Sequence, residues 1–348
     1  MPRPLRATHA RPAARWGRGG GWLCAAFAAA VLAIAGAAPA DAQSSSLDEL
    51  ASAVVHIKAT INRDGSTVQT LGPEREGSGI IIDAGGLVLT IGYLMVEAES
   101  IEVSTNAGRT LSAEVVGYDP QSGFGLLRTS EAPKIEPIGL GKSAALREGD
   151  PVLVASAGGA GMVMPARVVS RRAFAGGWEY LLDQAIFTAP PHPEWSGAAL
   201  ISRDRKLVGV GSLIVEDSTG DNDKKPGNMF VPIDLLPPIL GDLIADGRAS
   251  GPAHPWLGMY TEETHGRLVV SRVTPGGPAE KAGLHSGDVI VGVNGEAAKS
   301  LADLYRQIWM QGTAGASIGL DVRRGDGTRR LDVRSINRLD LLKLKSTL

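Results

Sequence analysis

The chain has 348 residues, enough for two ordinary domains, and its 43% hydrophobic and 21% charged residues give the balance of a globular protein rather than a disordered one. Its net charge of -2 becomes -6 (30 basic and 36 acidic residues) once the first 42 residues are set aside. No basic run then remains, which excludes a nucleic-acid partner, because gripping phosphates needs a concentrated positive face.

The first 42 residues carry Arg3, Arg6, Arg11, Arg15 and Arg18, then an apolar run from Trp22 to Ala38, then Ala40-Asp41-Ala42. This order reads as a secretory signal with a mature start near Gln43; the alternative is an uncleaved anchor in the inner membrane. Cys24, the only cysteine, leaves with the signal. A mature chain without disulfides that works outside the cytoplasm fits a bacterial periplasm.

From Ser52 to about Val231, short β-branched runs alternate with Gly, Pro, Asn and Asp: strands are expected near Val54, Gly79, Leu87, Ile101, Ala113, Val152 and Leu207. Seven or more strands at this spacing predict a β-sandwich or barrel. The period then changes. Pro232 to Ala245 has helical spacing, with Asp234 as the expected cap and Pro237 and Pro238 as an early interruption. Asp246 to His254 is small, polar and Pro/Gly-containing, an interdomain linker. Beyond it, strands are expected at Arg267 to Val273, Val289 to Val293 and Ser317 to Arg323, with helices at Pro278 to Ala282 and Leu301 to Gln311.

The stretch from Gly266, GRLVVSRVTPGGPAEKAGLHSGDVIVGVNGEAAKSLADLYRQI, is similar along its length to the PDZ domains of HtrA-type proteins. The region from Ser52 to about Ala245 resembles the HtrA/Deg protease domain, through VVHI near Val54, GSGIIID from Gly77, EVVGYDPQSGFGLLR from Glu114 and EWSGAAL from Glu194. The resemblance implies a mostly β fold, a trypsin-like double β-barrel over residues 43–245, then a linker (246–254), an α+β PDZ domain (255–334) and a tail (335–348).

Aligning the catalytic positions one at a time places Tyr93 where the family has its histidine and Gly123 where it has the aspartate that orients that histidine. Ser196 keeps the nucleophile position, but Glu194 replaces the glycine whose N–H helps form the oxyanion hole. Asp119 belongs to the turn before Gly123 and takes no triad role. Losing triad members costs about 10⁴ to 10⁶ in rate, and losing the hole roughly another 10² to 10³. His192 lies four residues before Ser196, on the oxyanion side rather than the base side, and His56 reads as a strand residue. No histidine pair has metal-ligand spacing, so neither a metal nor another cofactor is expected.

In the PDZ module the resemblance implies that Trp256, Leu257, Gly258 and Met259 form the loop that receives a peptide C-terminus, with the partner adding as a strand beside Gly258 to Tyr260 and Leu301 to Gln311 as the other wall. Trp256 packing the linker onto the module is the blander reading. Ser346-Thr347-Leu348 has the form of a PDZ ligand and could occupy the chain's own groove, or the tail could pack as a helix. The resulting expectation is a catalytically silent, peptide-binding protein of the envelope whose partners are peptide or protein C-termini. An active serine endopeptidase using Ser196 with an altered catalytic set is the alternative. Trimer formation and holdase activity are implied by the family alone.

Overall fold

A computed structural model describes residues 47–344 apart from 222 and 223. The signal expected at residues 1–42 and the terminal Ser346-Thr347-Leu348 lie outside the described residues. Everything described belongs to one compact unit, Ala40–Leu348.

The first barrel closes six strands in the order β1-β2-β3-β6-β5-β4. They are β1 (Val54–Ile61), β2 (Glu74–Ile81), β3 (Leu87–Ile91), β4 (Ala98–Ser104), β5 (Thr110–Tyr118) and β6 (Phe124–Thr129). The second barrel closes in the order β10-β11-β12-β9-β8-β7. Its strands are β7 (Pro151–Ala155), β8 (Val163–Gly176), β9 (Tyr180–Ala189), β10 (Ala199–Ile201), β11 (Leu207–Val215) and β12 (Gly227–Pro232). Closure leaves no open edge in either sheet, and the alternating inward residues supply an apolar filling: Ile57, Ile80, Leu89, Phe124 and Leu126 in the first barrel, Val168, Ile186, Leu200 and Phe230 in the second.

Between β1 and β2 the chain forms a four-residue helix, α1 (Val68–Leu71). The closing helix differs from the expected one. Ile233–Leu235 is a 3₁₀ turn, and α2 runs from Pro237 to Asp246 with its two prolines in the first turn. Proline tolerates that position because the first helical N–H groups have no partner to lose, so Pro237 and Pro238 begin the helix rather than interrupt it. Asp234 does not cap α2; its carboxylate accepts from Ser143 N–H (3.0 Å) and Ala144 N–H (2.7 Å) and pins another turn of the second barrel. Gly247, at φ 70°, ends α2 in the left-handed conformation.

The C-terminal module is a sheet in the order β13-β14-β15-β17-β18, with β16 paired to β15. Its elements are β13 (Met259–Thr264), β14 (Arg267–Val273), α3 (Pro278–Lys281), β15 (Val289–Val293), β16 (Glu296–Ala297), α4 (Leu301–Met310), β17 (Ser317–Arg324) and β18 (Gly327–Arg334). Ser300 caps α4 by accepting from Asp303 N–H, and the buried face of the helix, Leu304, Tyr305 and Ile308, packs on Leu257, Met259 and Ile318. Among its described residues the tail forms a 3₁₀ turn, Arg338–Leu341, where an α-helix was the alternative expectation. Leu339, Leu342 and Leu344 pack against the barrel core, and Lys343 N–H donates to Glu97 at 3.0 Å.

Candidate functional site

Ser196 lies in the loop between β9 and β10, facing the first barrel. Its backbone carbonyl accepts from Ser78 N–H at 2.8 Å. Two glycines make the approach feasible. A Cβ on Gly77 would come within 3.0 Å of Ser196 Oγ, and one on Gly197, which sits at φ 72°, would meet the Ser78 carbonyl.

Tyr93 stands on the 3₁₀ turn Gly92–Leu94 that follows β3. Its phenol oxygen is 2.8 Å from Ser196 Oγ and 2.9 Å from the Ser212 carbonyl. That carbonyl is available because the β11–β12 register shifts between Gly211 and Leu213, so Ser212 is bulged out of the ladder. The phenol donates toward both Ser196 Oγ and the Ser212 carbonyl, so its single proton is shared between two acceptors. Burial pushes the Tyr93 phenol up to about 12, and hydrogen bonds with Ser196 and the Trp195 side chain offset this only in part. At pH 7 roughly one molecule in 10⁵ would carry phenolate, so this partner does not take a proton from Ser196.

The loop that presents Tyr93 is fixed by Arg75, a buried guanidinium that donates to the carbonyls of Tyr93 (2.7 Å) and Val96 (3.1 Å) and to Thr67 Oγ1 (2.8 Å). Burial lowers the Arg75 pKa to about 10, and neighbouring Glu97 raises it again in part. Glu97 itself accepts from the amides and hydroxyls of Ser66 and Thr67, which link it to the start of α1.

Gly123 holds φ 82° and its carbonyl accepts from Gly92 N–H at 2.7 Å, one residue from Tyr93. A Cβ there would lie 3.2 Å from the Tyr180 hydroxyl, and an L-residue at that φ is strained. Asp119 spends its carboxylate on the amides of Gln121 and Ser122, closing the turn that delivers Gly123.

Glu194 N–H donates to His192 Nδ1 at 3.0 Å. An accepting Nδ1 places the ring proton on Nε2, which lies 3.1 Å from the Met162 carbonyl. His192 is buried, with its backbone held by Asn228, so both ring nitrogens are engaged away from Ser196. Sequence reasoning identified the residue change at 194 but not that its amide is turned onto a histidine. His56 is on β1, 3.6 Å from Glu76. Among the described residues no cluster of three or more His, Cys, Asp or Glu could hold a metal ion.

The five residues singled out in the module divide. Leu257, Gly258 and Met259 aim their backbone N–H groups at one carboxylate, that of Glu179, at 2.8, 2.6 and 2.9 Å. Trp256 instead pairs through its backbone with Ile336, and its buried ring lies against Gly258, so it packs the tail onto the module. Tyr260 carries the Arg272 guanidinium over its ring at 3.7 Å. Glu179, at the tip of the β8–β9 hairpin, carried no sequence signal.

Two closed six-stranded barrels with a serine between them, followed by a small sheet-and-helix module, define a trypsin-like peptidase fold joined to a PDZ domain. Accordingly, the trypsin-like peptidase domain family matches residues 77–210 and the PDZ domain family residues 255–334. The chain combines a trypsin-like peptidase domain with a C-terminal PDZ domain and is homologous to DegP/HtrA serine proteases. It is 31% identical over 279 residues to the serine protease PepD of Mycobacterium tuberculosis, covering 73% of this chain and 59% of that one. It is 29% identical over 272 residues to a probable periplasmic DegP-like serine endoprotease of Pseudomonas putida, covering 74% and 55%. The chain thus spans little more than half the length of these relatives. The HtrA-type protease AlgW, solved in variant form with a tripeptide, shares the fold at TM-score 0.51 and 22% identity, covering 84% of this chain and 96% of that one.

Proposed function

We propose that this chain is a non-proteolytic, peptide-binding member of its family, in which the double barrel is a scaffold and the PDZ groove takes the C-termini of peptides or proteins. The observation that carries this reading is the convergence of the Leu257, Gly258 and Met259 N–H groups on a single carboxylate, the chemistry a peptide C-terminus needs. Supporting it from the other side, Ser196 has a protonated phenol where a base is required, and the amide of Glu194 faces His192 instead of a reacting carbonyl. The relatives' names favour the competing reading, an active serine endopeptidase using Ser196.

Export to the periplasm agrees with the N-terminal pattern and with relatives named as periplasmic, and among the described residues no helix is long and apolar enough to cross a membrane. Assembly into a homo-oligomer rests on family resemblance. Incubating the mature chain with casein beside a Ser196→Ala variant tests the main point. Equal background in both is expected; cleavage by the first that the second lacks would establish the endopeptidase instead.

A further inference from the structure

The PDZ groove is occupied by the protein itself. Beyond the three hydrogen bonds to the Glu179 carboxylate, Thr261 N–H donates to the Gly177 carbonyl at 2.8 Å, and the Tyr305 hydroxyl donates to the Gly176 carbonyl at 2.8 Å while lying 3.2 Å from Glu179 N. Strand β13 is the edge of its sheet, so the Thr261 bond is the kind made when an extended segment adds to that edge. The spacing also matches. Gly177 and Glu179 are two residues apart on the hairpin, and their partners Thr261 and Met259 are two apart on the module. On the other side the hairpin meets α4 through Tyr305, and Ala175 and Leu181 pack against the module's core.

The hairpin turn is built for this position. A Cβ on Gly177 would lie 2.8 Å from the Thr261 carbonyl, so a side chain there would push the hairpin off β13. Glu179 is held at φ 58°, a conformation a non-glycine residue adopts at a cost, and its carboxylate is buried with only 6% of the residue exposed. A carboxylate in that setting needs its donors, and the module's loop supplies all three.

We propose that Glu179 is an internal ligand of the PDZ groove, its side-chain carboxylate standing in for a peptide's C-terminal carboxylate, so that a C-terminal peptide binds only by displacing the β8–β9 hairpin. The proposal rests on the reading that the groove takes peptide C-termini. It gives the barrel a role other than catalysis: the strand that leads into the Ser196 loop, β9, also carries the plug, and peptide binding frees the hairpin to move.

The test uses the mature chain, wild type and with Glu179→Ala or Glu179→Gln, the latter keeping the side chain's size without its charge. Hydrogen exchange is read at the amides of Leu257, Gly258, Met259 and Thr261, and binding is read with a pool of random octapeptides with free C-termini, against the same pool amidated. Protection of the four amides in the wild type, its loss in the alanine variant, and free-carboxylate peptide binding tightened by at least about tenfold as the competent state becomes dominant would bear the proposal out. The glutamine variant keeps an acceptor oxygen for Gly258 and Met259 but not for Leu257, and is therefore expected to lie between the two. Equal peptide affinity in all three chains would overturn the internal ligand while leaving the peptide-binding reading intact. Freed amides with no peptide bound by any chain would reject the peptide-binding reading, and with it the competition, leaving Glu179 as a clamp between domains.

Discussion

The Tyr93–Ser196 contact can be weighed by a double-mutant cycle. Tyr93→Phe removes a hydroxyl that bonds Ser196 at 2.8 Å and the Ser212 carbonyl at 2.9 Å. With each bond worth about 1 kcal/mol net, and the bulged Ser212 carbonyl left without this donor, the expected loss is about 2 kcal/mol. Ser196→Ala removes only the shared bond and should cost about 1 kcal/mol. The double variant has nothing further to lose and should also cost about 2 kcal/mol, leaving a coupling of about 1 kcal/mol between the two positions. Urea unfolding of the four chains, followed by tryptophan fluorescence, measures it. Strictly additive costs, with coupling below about 0.3 kcal/mol, would refute the claim that the phenol serves as the serine's partner.

Three further outcomes are expected. Introducing the residues that the family resemblance implies, Tyr93→His with Gly123→Asp, should leave casein cleavage at the Ser196→Ala background, because Gly123 sits at φ 82° against Tyr180 and the Glu194 amide still faces His192; cleavage above that background would refute this reasoning. Burial raises the Glu179 pKa from 4.5 to about 7, outweighing the amides of Leu257, Met259 and Gly258 and the positive Arg338; in the open groove the carboxyl would keep its ordinary value. Docking is therefore strongest below pH 4.5 and is lost as pH rises through about 7, by on the order of 3 kcal/mol at most. Tyr305, the other titratable group facing it, is pushed upward and stays neutral, so amide protection at Leu257 to Met259 should fall between pH 5 and 8, and Glu179→Gln should abolish that dependence. Glu97→Ala leaves the amides of Ser66, Thr67 and Lys343 unpaired, and should cost about 2 to 4 kcal/mol and expose the segment after Arg338 to limited proteolysis.

Much of this protein was legible along the chain because it is written in local patterns. The strands at Val54, Leu87 and Leu207 follow from β-branched runs between turn residues, and α4 follows from its amphipathic period. The identities of Tyr93, Gly123, Glu194 and Ser196 could be read by counting from those runs. Two prolines misled the reading of α2, because a rule about helix interiors does not apply to a first turn.

What only the tertiary structure decided are pairings between distant parts of the chain. Tyr93 and Ser212 are 119 residues apart, and Glu179 and Gly258 are 79 apart. Neither pair has a sequence period or motif, since each depends on where closed barrels and a docked module bring backbone groups that every residue possesses. The residue types at positions 93, 123, 194 and 196 can be read from the chain alone. That Ser196 has a buried phenol beside it, and that the amides of Leu257 to Met259 meet a glutamate of the barrel, depended on the geometry of folding, because a backbone N–H acquires an address only when the chain is packed.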